Sequence, residues 1–162
     1  MEFAASMDRT TRISTFIVTL IFAAVPVLGI VLGTTSGNWV AAAVGCLLAV
    51  IYGVVYAYRP TGYGVTSAGL VIHRQAGDLH IAASNIRKVE TLERKQLRFA
   101  IRTFGVGGLF GYFGSFYTSS LGSMTWYITR RDSTVLIETN RSKILVSPDD
   151  RSAFLDALQA VS

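Results

Sequence analysis

The sequence predicts a two-part chain: two transmembrane α-helices, followed by a mainly-β domain of about seven strands closed by a C-terminal α-helix. Three observations carry this. Residues 13–58 form an unbroken run of 46 without Asp, Glu, Lys, Arg or His. Beyond Pro60 the texture changes to short alternating runs separated by Gly, Ser, Asp and Asn, and the last fifteen residues switch to helical spacing. Composition agrees, since 51% of the 162 residues are hydrophobic and only 15% are charged, against roughly 25% in ordinary soluble domains. The mean hydropathy is +0.44. A single cysteine excludes a disulfide framework and a Cys-based structural zinc site.

A bilayer-spanning helix needs about 20 apolar residues, so the uncharged run holds two. The polar run Thr34-Thr35-Ser36-Gly37-Asn38 divides it into helices at 13–33 and 39–58, with residues 1–12 as an N-terminal tail. The first run is long for a cleaved signal peptide and no A-x-A-like site follows it. Arg9 and Arg12 precede the first helix, Arg59 follows the second, and the connecting loop is uncharged. Positive residues favour the cytoplasmic side, so both termini are expected there, in a two-pass protein of the cell membrane. Trp39 falls at the outer boundary, and Tyr56 and Tyr58 at the inner one. Gly29-x-x-x-Gly33 and Ala41-x-x-x-Gly45 lie at matching depths and permit close helix packing within the hairpin or, alternatively, dimerisation. Pro26 is a candidate kink. No ionisable group lies within the spans, and Cys46 is deep in the second, so the hairpin reads as an anchor rather than an ion or proton pathway.

The domain is expected at 61–162, joined by Arg59-Pro60-Thr61. Strands are expected at 62–66, 70–75, 78–82 and 84–91, then at 123–130, 134–139 and 142–147. Alternation places Leu70, Ile72, Leu79 and Ile81 on one face of the first hairpin, with His73, Gln75, Asp78 and His80 on the other. Met124, Trp126 and Ile128 share a face of the fifth strand. Ser147 as N-cap, Pro148 at the first helical position and Asp149-Asp150 in the first turn predict a final helix burying Phe154, Ala157, Leu158 and Val161.

Gly62-Tyr63-Gly64-Val65 followed by Gly69-Leu70-Val71-Ile72, then Ser84-Asn85-Ile86, the run from Phe104 to Gly114, Tyr127-Ile128-Thr129 and Ser147-Pro148-Asp149 with Phe154 resemble the bacterial pleckstrin-homology-like domain family. The likeness covers roughly residues 61–160. It implies a seven-stranded PH-like split barrel or sandwich capped by the C-terminal helix. It implies neither an enzymatic activity nor an established ligand, because bacterial members are not assumed to share eukaryotic phosphoinositide binding.

The strongest functional signal is basic. Arg87, Lys88, Arg94, Lys95, Arg98 and Arg102 stand against Glu90 and Glu93, giving net +4 in sixteen residues of a chain whose formal net charge is +5. Leu97, Phe99 and Ile101 alternate with Arg98, Ala100 and Arg102 as in a half-buried strand, and a helix would also keep Arg98 and Arg102 on one face. Close to an anionic leaflet each cation adds about 1 kcal/mol, within a Debye length. These six are the candidate site for anionic phospholipid headgroups or an acidic protein partner; the plain alternative is a solvated edge strand. No nucleic-acid module is recognisable. The glycine-aromatic run from Gly105 to Gly114 lacks the features of a phosphate loop or a dinucleotide fingerprint. It reads as a bent core strand or as an interfacial loop presenting Phe110, Tyr112 and Phe113 to the headgroups. His73 and His80 with Asp78 fall short of three convergent metal ligands on a polar face and read as exposed histidines. No G-x-S-x-G elbow or carboxylate pair is present, so no catalytic residue, metal or cofactor is expected. The function expected is a non-catalytic, membrane-anchored binding or scaffolding module. Its rivals are an accessory subunit of a larger membrane complex and a small membrane enzyme acting on lipid or envelope substrates.

Overall fold

In the computed structural model, which describes residues 1–161, the first helix begins earlier and ends later than hydropathy alone implies. Helix α1 spans Arg9–Ser36 because Asp8 caps it, accepting a 2.7 Å hydrogen bond from the Thr11 N–H. Gly37 ends it in the left-handed region at φ 66°. Asn38 then caps α2 (Trp39–Tyr58), which coincides with the expected second span.

The two helices meet through backbone rather than bulk. A Cβ at Gly29 would lie 2.4 Å from the Ala41 carbonyl oxygen, and one at Gly45 would lie 2.9 Å from the Pro26 Cα. The small-residue pattern therefore packs the hairpin on itself. Thr19 and Tyr52 add a 2.9 Å hydroxyl pair across the seam. Most side chains point outward: only 11% and 6% of the most apolar windows of α1 and α2 are buried. The chain thus has two helices long and apolar enough to cross a membrane.

Ten strands are present among the described residues, against about seven expected. The first, β1 (Glu2–Ala4), lies in the segment read as a tail and pairs antiparallel with β2 (Pro60–Thr66). Pro60 and Thr61 belong to β2, so no free linker separates helix from domain. β3 (Gly69–Arg74) and β4 (Leu79–Ala82) complete a sheet of order β1-β2-β3-β4. The second sheet contains β5 (Ile86–Leu92), β6 (Ile101–Gly107), β7 (Tyr112–Thr118), β8 (Gly122–Ile128), β9 (Thr134–Thr139) and β10 (Lys143–Val146), in the order β5-β9-β10-β8-β7-β6. The additional strands β6 and β7 come from the basic and glycine-aromatic stretches. Between β5 and β6 the chain makes a 3₁₀ turn at Arg94–Leu97.

The expected faces hold. Leu70, Ile72 and Ile81 are buried, while Gln75, Asp78 and His80 are exposed. These apolar residues join Tyr63, Val135, Ile137 and Val146 in a core closed by Phe154 and Leu158 of α3 (Arg151–Gln159). The other face of the six-stranded sheet has its own core, where Trp126 stacks on Phe116 with ring centroids 4.1 Å apart. Leu97 of the 3₁₀ turn is buried there.

Helix α3 starts later than expected, with Asp150 as N-cap accepting from the Ala153 N–H at 3.0 Å. Ser147, expected in that role, is fully buried and serves the crossover from β8 to β9. Its hydroxyl accepts from the Thr129 N–H at 2.9 Å. Its own N–H donates to the Tyr63 hydroxyl, which in turn donates to the Tyr127 carbonyl at 2.6 Å. This network lets parallel β10 sit beside β8 without orphaned backbone groups. Two sheets closed by one C-terminal helix form the PH-like architecture that the resemblance implies.

Candidate functional site

Several contacts fix the β-domain to the base of the hairpin. The turn between β6 and β7 lies against the first turns of α1. Ser14 Oγ donates to the Gly108 carbonyl at 2.6 Å, and the Phe110 N–H donates to Thr15 Oγ1 at 2.8 Å. The Phe110 ring meets Tyr52 and Tyr56 edge-on, at 5.5 and 5.2 Å between centroids. The Arg59 guanidinium covers Tyr56 at 3.9 Å. On another side the Ala76 N–H donates to the Ala57 carbonyl at 2.8 Å. Ser6, just before α1, donates its hydroxyl to Asp149 at 2.6 Å. The expected interfacial trio therefore divides. Phe110 is buried on the hairpin, Phe113 is buried in β7, and Tyr112 is half-buried beside Trp126.

The six cations of the basic stretch also divide. Arg87 bonds the Asn140 side chain and Lys88 pairs with Glu90 at 2.6 Å. Both lie toward the end of β5 that pairs with Thr139. The opposite end of β5, where Leu92 faces Thr134, leads into the 3₁₀ turn, and there the remaining charges gather. Arg94, Lys95 and Arg98, with Arg131 from the β8–β9 crossover, line a cleft of about 390 Å³. Lys95 is engaged by Glu93 at 2.7 Å, and that contact holds the Glu93 carboxyl below its ordinary range. Arg94, Arg98 and Arg131 form no ion pair among the described residues. Neighbouring Arg130 is held differently, by Asp132 at 2.6 and 2.8 Å and by Asp149 at 3.4 Å. Those carboxylates raise its pKa further above the usual guanidinium value.

Arg131, which falls between the strands expected at 123–130 and 134–139, is the residue that sequence reasoning missed. Its guanidinium lies 4.1 Å over the Tyr112 ring and 5.7 Å from Trp126. Its Nε is buried without a hydrogen-bond partner. Tyr112 pairs with Gly107, immediately before the turn docked on α1, so the cleft lies at the end of the sheet that meets the hairpin. Arg102 sits on β6, and Arg98 follows the 3₁₀ turn. The alternation that put them on one strand or helix face does not form. Arg102 instead runs toward Gly107, where its Nη1 would lie 3.2 Å from an added Cβ.

The residues lining the cleft present guanidinium and ammonium groups and no carboxylate. Planar guanidinium forks match the paired oxygens of phosphate or carboxylate. Arg131 comes with its orientation set by the aromatic rings beneath it.

The histidines lie elsewhere. His73 is held between Glu2 at 3.0 Å and Asp78 at 2.9 Å, one carboxylate on each ring nitrogen. Desolvation lowers its pKa, but the hydrogen bond and charge of Asp78, with those of Glu2, outweigh this and raise it above the ordinary value. His80 is exposed on β4. Among the described residues no group of three or more His, Cys, Asp or Glu could hold a metal ion.

A family model described as the bacterial PH domain matches residues 61–162. No curated protein and no solved structure matches the chain.

Proposed function

The chain belongs to the bacterial PH domain family, and from that premise we propose that it is a non-catalytic, membrane-anchored module binding anionic phospholipid headgroups at the cytoplasmic leaflet. The supporting observation is the cleft of Arg94, Lys95, Arg98 and Arg131, at the end of the domain docked to two apolar helices. Arg9, Arg12 and Arg59 at the base of the hairpin, with an uncharged loop at its tip, favour cytoplasmic placement of both termini in the cell membrane. The anchor removes the entropic cost of bringing the cleft to the leaflet, so modest headgroup affinity suffices. The same cations would serve an acidic protein partner, including a larger membrane complex, and the test separates the two.

Full-length protein in neutral detergent is titrated with phosphatidylglycerol or phosphatidylcholine, and bound lipid is counted by native mass spectrometry. Preferential retention of phosphatidylglycerol is expected. It should weaken roughly thirtyfold when Arg94→Gln and Arg98→Gln are combined, at about 1 kcal/mol for each cation. Arg131 is left in place so that its aromatic stack is undisturbed. Equal retention of both lipids, unchanged in the double variant, would remove the lipid reading and leave an acidic protein as the ligand.

A further inference from the structure

Outside the hairpin and Met1, every exposed large hydrophobic among the described residues falls in one place. Phe99 and Phe104 are each 79% exposed, Ile101 is 65% and Tyr117 is 46%. All belong to β6, the segment entering it, or its partner strand β7. β6 is an edge of the six-stranded sheet, and its outer backbone groups have no neighbour strand. The two edges of that sheet are built oppositely. β5 carries Arg87, Lys88 and Glu90, the usual protection against unwanted pairing, whereas β6 beyond Arg102 reads Thr-Phe-Gly-Val-Gly without a charge.

The exposure is organised by a bulge. Ile101 faces Tyr117 and Arg102 faces Phe116, but the register then shifts so that Phe104 faces Ser115. Three residues apart on a regular strand, Ile101 and Phe104 would point to opposite faces. The bulge at Thr103 puts both beside Tyr117, while Arg102 stays on the other face. An apolar strip has thus been aimed outward on a strand whose far end runs into the turn docked on Ser14 and Thr15. Its near end, where Ile101 and Tyr117 lie level with Ser123 at the end of the sheet away from that turn, follows Arg98, which lines the cationic cleft.

We propose that this edge of β6 is a second membrane-contact surface: Phe99, Ile101, Phe104 and Tyr117 enter the interfacial zone of the bilayer that holds the hairpin. The inference rests on the hairpin being a membrane anchor. Phe104 is four residues from Gly108, at most about 13 Å along a strand. Gly108 itself touches α1 more than a turn beyond its first residue. Tyrosine is favoured at the headgroup level, phenylalanine and isoleucine add apolar area that sinks just beneath it, and arginines beside them meet anionic lipid. The interfacial contact thus comes from the strand before the glycine-aromatic turn and not from Phe110, which the hairpin itself covers.

The test uses full-length protein in phosphatidylglycerol-containing nanodiscs, spin-labelled at single cysteines. Native Cys46, exposed on the hairpin, reports the bilayer interior. In a Cys46→Ser background, labels at Ile101→Cys and Phe104→Cys report the edge, and Arg141→Cys reports the exposed turn between β9 and β10, at the same end of the sheet as Ile101 but three strands away from β6. All three positions are exposed, so the core is untouched. Labels at 101 and 104 are expected to favour collision with oxygen over a water-soluble nickel chelate, as Cys46 does, with the reverse at 141. If 101 and 104 behave like 141 while Cys46 stays oxygen-accessible, the edge faces water and the proposal fails with the anchor intact. If Cys46 also favours nickel, the anchor reading itself fails. Dipolar broadening between labels at 104 would mean that a second copy covers the edge, which also overturns the proposal.

Discussion

The hairpin and the β-domain solve packing in opposite ways. α1 and α2 touch where side chains are missing, with Gly29 against the Ala41 backbone and Gly45 against Pro26, and they turn Leu, Ile and Val outward. The domain buries its largest side chains, Trp126, Tyr63 and Phe154 among them. The contrast follows from the solvent. In hydrocarbon there is no gain in hiding Leu from its surroundings, so helices associate through close backbone contact. In water the gain comes from apolar area removed. The junction uses a third device, hydroxyl-to-backbone bonds and an arginine over aromatic rings, suited to a region that is neither wet nor fully apolar.

Three substitutions sharpen the contrast, in descending order of effect. Trp126→Ala removes the Phe116 stack from a closed core and is expected to cost about 3–5 kcal/mol. Thermal unfolding followed by circular dichroism should show the β-domain melting early while hairpin helicity persists. Gly45→Leu forces a side chain into the Pro26 backbone and should cost about 1–3 kcal/mol. Its signature lies in the hairpin: cross-linking between cysteines at Thr19 and Tyr52 should fall while the melting of the domain barely moves. Tyr63→Phe leaves the Ser147 N–H and Tyr127 carbonyl without their partner and should cost roughly 1–3 kcal/mol.

Tyr63 also has a pH signature. Burial pushes its pKa up to about 12, from 10.0 for an ordinary tyrosine. The stabilisation is complete below pH 10 and is lost as pH rises toward 12, and Tyr63→Phe should flatten that alkaline decline. The smallest effect concerns β1. The raised pKa of His73 means its ion pairs with Glu2 and Asp78 are fully formed below pH 6.5 and are lost as pH rises through the folded-state value. Hydrogen exchange of Glu2–Ala4, corrected for intrinsic rate, should accelerate a few-fold across that window, and His73→Gln should abolish the change.

The spans were legible because 46 uncharged residues have no other economical reading, but their ends depended on Asp8 and Gly37, which hydropathy ignores. Alternation located seven strands and the faces of the first hairpin and of β8. It could not find β1, three residues whose register is set by a strand some sixty positions away. It misread the segment around Leu97 because that residue reaches the core from a 3₁₀ turn, and the bulge at Thr103 breaks the period. Ser147-Pro148-Asp149-Asp150 contains two good N-caps, and only the tertiary demand of Tyr63 and Thr129 decides between them. The candidate site was half visible. Arg94, Lys95 and Arg98 stood in one run, but Arg131 is brought to them only by folding. Arg87 and Lys88 were removed from the group by their own neighbours, Asn140 and Glu90.

These contacts also change how the module should be handled. A fragment of residues 61–162 lacks β1 and leaves Phe110 without its aromatic seat, so ligand binding is best measured on the full chain. The central claim is that the domain is docked to the hairpin, not tethered loosely beneath it, so that the cleft is held at the bilayer. The direct test is a pulsed-EPR distance measurement in nanodiscs between spin labels at native Cys46 and at Arg141→Cys. One narrow distance distribution is expected, broadening when Phe110→Ala and Ser14→Ala remove the docking contacts. A broad distribution in the otherwise native protein, unchanged by those two substitutions, would contradict it.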